Sequence, residues 1–568
     1  MINTCRQTAA WLTAITLLVS CSQAPKAPSA AAIAALELRQ GKLITCGPEQ
    51  AALGKLSFKA TVSDQQAPLF ATGVKLLHSF EYEEAEKVFA ALIDAEPSCY
   101  MAYWGVAMSN FHPLWAPPLP GELKKGAAAI AIARGLKAPT PREGAYLEAI
   151  AAFYDDYQQT EHRTRTARFE LAMDKIQAAF PEDIEAKVLY ALALDAAADP
   201  ADRTYAKQKK AGVILNLLYA QYPQHPGVVH YLIHTYDVPG MAQHALVAAR
   251  NYATIAASSA HALHMPSHIF TRLGMWNDCV QSNLQSVESA RCYAEQAGIK
   301  GHWDEEMHGI DYLIYAYLQQ GDNKAAKRQL AYLATIKEVH PANFKVAYAF
   351  AAIPARYVLE NKDWAAAAIL EPPTANFAWA DYPWPNATVH FARALGAAHT
   401  GQLKQAEAEL MILKRLHDTL SAQKDKYKAG QVAVQWYIAR SWWLKGRQLN
   451  DSAIQAMQTA ANMEDATEKH PVTPAEVSPA REQLGDLLLA LHQPAAALTA
   501  YETSLRRNPN RFNSLYGAAT AARLQGDNRL AQQYYQQLLL LNKQQPAQRP
   551  ELVEASRYVQ PALALRHH

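Results

Sequence analysis

Glycine is scarce in this chain, with 24 in 568 residues, while alanine is frequent. That balance favours helices. An excess of charge of one sign is lacking too. Lysine and arginine number 54 and aspartate and glutamate 52, for a net charge of +2. No basic block stands out, so the composition gives no footing for nucleic acid. The common enzyme signatures are missing: there is no GxGxxG, no Walker loop, no HExxH and no GxSxG element. Cysteine is sparse, at six. The apolar stretch from Trp11 to Val19 is too short to span a bilayer as a mature helix. What remains is a hydrophobic share of 50% and a length too great for one compact core. Several domains or one elongated array are expected.

The chain opens MINTCRQTAAWLTAITLLVSC, with Arg6 as a short basic flank before the apolar stretch. Leu18-Val19-Ser20-Cys21 resembles a bacterial lipobox. The resemblance implies a signal peptide over residues 1–20 and acylation of Cys21, whose two or three chains hold a protein on a membrane stably. Ser22 follows, with no Asp, which by the same resemblance implies the outer membrane, facing the periplasm. The alternative is an ordinary secretory signal. Residues 21–64 then read as a flexible tether and an N-terminal segment. Apart from Cys5 and Cys21, four cysteines remain, and an oxidising compartment permits them to pair. Cys279 and Cys292 lie 13 residues apart on one expected helix, about 20 Å along its axis, and so cannot join each other. Cys46–Cys99 is open as a pairing that sequence does not decide.

A repeat runs through the rest. In FATGVKLLHSFEYEEAEKVFAALIDAEP, Gly73, Ala85, Phe89 and Pro97 stand at offsets of 12, 16 and 24. Two antiparallel helices pack closely only if small residues sit at their crossing, and the proline stops the second helix. The pattern returns with Gly240 and Ala245, Gly274 and Cys279, Gly321 and Ala326, and Gly401 and Ala406. Positions 245 and 279 are 34 apart, as are Ala497 and Ala531. These offsets resemble the tetratricopeptide repeat. The resemblance implies an all-α solenoid of stacked antiparallel helix pairs, a superhelix with a concave groove. The expected divisions are a solenoid over 65–465 with a histidine-rich groove at 225–320, a proline-rich connector at 466–480, a C-terminal repeat pair at 481–545 and a tail at 546–568. Proline-rich and aromatic segments at 112–126 and 377–390 interrupt the array.

Six of the 20 histidines crowd into HPGVVHYLIHTYD (225–237) and HALHMPSHIF (261–270). With each turn glycine set at repeat position 15, His230 and His264 share position 5, and His234 and His268 share position 9. Within each helix the spacing is four, so both rings project from one face. Asp237 takes position 12, and His261 and His308 take position 2. Asp311 takes position 5 of the following repeat. In tetratricopeptide proteins these positions line the groove, so the resemblance implies that all eight side chains converge there. Pro266 marks a helix start, which would bend His261 and His264 away from that direction. His78 and His112, also 34 apart, read as structural.

Neutral imidazoles at i and i+4 chelate metal, and this nitrogen and oxygen set suits zinc, copper, iron or nickel. The alternatives are a metal-free groove for an acidic peptide and a structural polar network. The adjacent Glu305-Glu306 reads as a solvated helix start, with a general base for metal-bound water as its alternative. The segments MAYWGVAMS, HPGVVHYLIH, HALHMPSHIFTRLG and ATEKHPVTP together resemble a group of bacterial tetratricopeptide proteins without an established activity. That resemblance points Glu468 and His470 back toward the groove. The expected function is a lipid-anchored scaffold with a transition-metal site and a peptide or protein in its groove. A metal-dependent hydrolase or oxidase, and a metal-free interaction module of the cell envelope, stand as alternatives.

Overall fold

The computed structural model describes residues 27–47, 53–114, 117–373, 377–542 and 549–564, the side chains of 560–564 excepted. The proposed signal segment and Cys21 lie outside the described residues. Helix follows helix along the chain, and the only strands among the described residues are two-residue pieces, His302–Trp303 beside Val339–His340. The architecture is the expected all-α solenoid of antiparallel helix pairs. No described helix is long and apolar enough to cross a membrane.

The small-residue rule explains the stacking. Helices Ala67–His78, Tyr82–Ala95 and Tyr100–Ser109 meet at Phe89, which is fully buried. A Cβ on Gly73 would lie 2.7 Å from the Phe89 ring, and one on Gly105 would lie 2.4 Å from it. One aromatic ring therefore fills two glycine notches, on the helices before and after its own. The arrangement recurs near the C-terminus, where Tyr501 fills the notches of Gly485 and Gly517. The turn glycines Gly240, Gly274, Gly321 and Gly401 all have positive φ, which closes each helix pair tightly.

Two long-range features decide where the functional residues end up. The first is the extended N-terminal segment, which runs along the stack. Its backbone N–H groups at Arg39 and Ile44 donate to Glu86 and Glu84, and that of Lys55 donates to the Gln224 carbonyl. Cys46 is disulfide-bonded to Cys292 on helix Trp276–Gln296, while Cys99 and Cys279 are free and buried. The Cys46–Cys99 pairing is thus replaced by a tie across 246 residues of sequence.

The second is closure of the superhelix on itself. A Cβ on Gly274 would strike the Pro509 carbonyl at 2.3 Å, and Trp276 Nε1 donates to the Asn510 carbonyl at 2.8 Å. Arg511, fully buried, bonds Glu482 through Nε at 2.8 Å and Glu360 through Nη2 at 2.5 Å. The connector 466–480 is drawn inward by this closure and lies across the histidine-bearing stretch of the groove.

Gly105→Ala should destabilise the protein by about 1–3 kcal/mol, because the new methyl overpacks a site already filled by Phe89. Thermal unfolding followed by circular dichroism checks this, and an unchanged midpoint would contradict the notch-and-ring account.

Candidate metal centre

Helix Pro226–Tyr236 carries His230 and His234. Proline occupies its first turn, where a missing N–H costs nothing. The next histidines sit on two short helices, Ala260–His264 and Pro266–Arg272, joined at Met265. Pro266 does start a helix, as expected, but Met265 keeps helical backbone angles (φ −52°, ψ −37°). The break therefore leaves His261 and His264 directed inward. His308 comes from helix Asp304–Gln319.

These six imidazoles assemble as two groups of three. His230, His234 and His261 form one, and His264, His268 and His308 the other. In each group the ring nitrogens lie within 4.8 Å of one another. Five of the six residues are buried, His234 only partly. Burial pushes the His230 ring down to about 3 and lowers the other five as well. They are neutral near pH 7, the form that ligates metal.

Hydrogen bonds fix which nitrogen carries the proton in three of them. His230 donates from Nδ1 to the His78 carbonyl at 2.6 Å. His264 donates from Nδ1 to Asn283 Oδ1 at 2.7 Å, and Asn283 is oriented by its own N–H bond to the Cys279 carbonyl at 2.8 Å. His268 donates from Nδ1 to Asp237 Oδ2 at 2.9 Å. All three thus present an Nε2 without its own proton, that of His268 with the Tyr312 hydroxyl 3.4 Å away. The Nε2 atoms of His264 and His268 face each other at 3.1 Å, and those of His230 and His234 at 3.0 Å. In a tetrahedral zinc site, two imidazole nitrogens at about 2.0 Å from the ion stand roughly 3.3 Å apart. The spacing is close to that of a ligand edge, and the Nδ1 partners are those that orient metal-bound histidines.

Neither aspartate belongs to a group of three. Asp237 acts through His268 and is held by Arg272 Nε at 2.8 Å and Lys469 Nζ at 2.9 Å. Burial alone would raise its pKa, but Lys469 and Arg272 outweigh that and keep it well below the carboxylate range. Asp311 is taken by the buried Arg356, whose Nε lies 3.2 Å away, and so stands apart from the histidines. Repeat position alone does not distinguish a ligand from an ion-pair partner, and that is why Asp311 looked equivalent.

The connector roofs the site. Lys469 reaches Asp237, and Thr473 accepts from the Tyr312 hydroxyl at 3.2 Å through its carbonyl. Arg356 holds the carbonyls of Ala475 and Glu476. Pro471 and Val472 close a cavity of about 10 Å³, lined by His234, His261, His268 and His308 together with Glu305 and Lys345. That is room for one water-sized ligand. Glu468 does fold back, to Tyr205 and Arg203. His470 folds back too, but into an aromatic box of Phe344, Trp384 and Tyr427 rather than into the cavity.

Glu305-Glu306 is not a solvated helix start. Glu306 is fully buried, bonded by Arg291 and His302 at 2.7 Å each. Glu305 pairs with Lys345, and its other oxygen, Oε2, is buried with no hydrogen-bond partner at the cavity.

Sequence reasoning passed over Asn283, Lys345, Met265 and Phe80. Phe80 has φ +59° and packs on His230 at 4.4 Å between ring centres. It also passed over a third cluster. His78 and His225 each bond one oxygen of Glu185, at 2.8 and 2.6 Å. Their Nδ1 atoms are taken by the Tyr231 hydroxyl and the Val228 N–H. Every position there is satisfied within the protein, so it serves as a buttress, and the His78 carbonyl orients His230. His112 sits apart, beside Glu122.

His470 gives a pH test away from the six rings. Burial holds its pKa down to about 3, below the ordinary 6.5 of an unfolded histidine. Its neutral form therefore supports the fold fully above pH 6.5, and that support drains as pH falls toward 3. Thermal midpoints of His470→Phe and the parent, measured from pH 7 to 4, should diverge in the variant's favour as acid is added. Parallel curves would show that the ring does not titrate on unfolding.

No protein-family model and no curated protein matches the sequence. Among solved structures the chain is similar to a human IFIT1 dimer with PPP-AAAA, at 12% identity over 85% of this chain and 96% of that one, with a TM-score of 0.35. It is similar to yeast Tom70 at 12% identity over 89% and 96%, with a TM-score of 0.34. The P58(IPK) TPR domain matches at 11% identity over 88% and 99%, with a TM-score of 0.20.

Proposed function

We propose that this protein is a solenoid scaffold built around a transition-metal centre, held by histidines and roofed by the connector. One observation carries the reading. His264 and His268 both spend their only proton on Nδ1, yet turn their Nε2 lone pairs on each other at 3.1 Å. Two buried acceptors at that distance repel unless a proton or a metal ion lies between them. Zinc, copper or iron meets the requirement. The groove beyond the connector remains the place for a peptide or protein partner.

A metal-dependent hydrolase or oxidase is the second reading, and a specific observation favours it. Three imidazoles per group leave a coordination position open, the cavity admits one water-sized ligand, and Glu305 Oε2 stands there without a partner. An open position beside a carboxylate is the arrangement of catalytic rather than structural metal sites.

The scaffold is further assigned to the bacterial envelope, anchored to the outer membrane by lipid on Cys21 and facing the periplasm. The lipobox-like residues support this, as does the Cys46–Cys292 disulfide, a bond suited to an oxidising compartment. Cys21→Ala should move the protein from the membrane fraction to the soluble fraction of expressing cells. A variant that stays with the membrane would remove the anchor.

Elemental analysis of untagged protein should find transition metal, and a His234→Ala/His268→Ala variant should lose it. Equal metal content in the two proteins would sink the proposed centre.

A further inference from the structure

The division of the six histidines into two triads has a chemical meaning beyond metal binding as such, and the reading that follows rests on the proposed metal centre. His230, His234 and His261 form one set of three donors, and His264, His268 and His308 form another. Across the two sets, the His234 and His268 rings are 6.3 Å apart between centres. Both sets border the same small cavity. A four-coordinate ion in either triad keeps one position free, and the cavity is where a single small ligand would meet both ions.

The surroundings limit the charge that two ions can bring. Neither triad includes a carboxylate or thiolate. Three nearby carboxylates already face three cations: Asp237 faces Arg272 and Lys469, and Asp304 and Glu305 share Lys345. The cost of burying an ion rises steeply with its charge, so two dications surrounded by neutral imidazoles would be poorly compensated. Two monocations carry half that charge. Met265 also lines the cavity, and its thioether is a soft donor that favours copper(I).

We infer that the two histidine triads hold a pair of copper(I) ions, one in each, sharing a single small ligand in the cavity between them. The pair offers two electrons at one place, one from each ion.

The test uses the full chain without a tag, stripped of metal and titrated with copper(I) under nitrogen against a coloured competing chelator. Two copper(I) ions per chain are expected. His261→Ala and His308→Ala should each retain one, with unchanged far-ultraviolet circular dichroism. Met265→Leu should weaken copper(I) binding by about tenfold and leave zinc binding unchanged. Equal copper affinity in that variant would overturn the choice of ion. One copper per chain in the parent overturns the pair but leaves a single metal centre standing; no copper and no zinc overturns both. If either alanine variant misfolds, the parent decides alone.

Discussion

Two nitrogen lone pairs pointed at each other across 3.1 Å, on His264 and His268, are the constraint around which the middle of this protein is arranged. An apolar core would expel such a contact, and solvent would dissolve it. Here each ring is locked from behind, one by an amide oxygen and the other by a carboxylate. Those partners are locked in turn: Asn283 by a helical carbonyl, and Asp237 by Arg272 and Lys469. The unfavourable contact is bought with second-layer bonds spread over four separate segments of the chain. Groups held this rigidly could take up the proposed ion without rearranging.

The solenoid suits this purpose for a reason rooted in its packing. Each helix pair touches mainly its neighbours, so a side chain at one repeat position meets the same position one repeat away. A histidine pair on one helix therefore finds its counterpart without any special loop. The remaining problem is water, which an open groove admits freely. Closure of the superhelix through Arg511, Glu360 and Glu482 carries the connector across the groove, and Pro471 and Val472 then exclude solvent. Stability and site chemistry are joined at that closure.

Much of this was legible in the sequence because it is periodic. The 34-residue spacing aligned His230 with His264 and His234 with His268; the rings meet within each helix, four residues apart, while across the repeat His234 stands 6.3 Å from His268 between ring centres. Periodicity also placed Asp311 beside them, but an arginine from another helix, Arg356, claimed it. What periodicity does not encode is contact between distant repeats. The Cys46–Cys292 bond, the Lys469–Asp237 pair and the seating of Asn510 against Trp276 join segments separated by more than 200 residues. The solvated reading of Glu305-Glu306 failed for the same reason: helix-start chemistry is local, whereas burial by Arg291 and Lys345 is not.

The roof has a consequence for how the molecule is made. All six imidazoles precede residue 309, while the residues that cover them begin at 469. A chain that emerges from its N-terminus has made all six imidazoles before the cover, and with it the hold of Lys469 on Asp237, appears. Filling of the proposed centre and its sealing therefore fall to different parts of the chain, with the residues from 469 onward acting as the stopper.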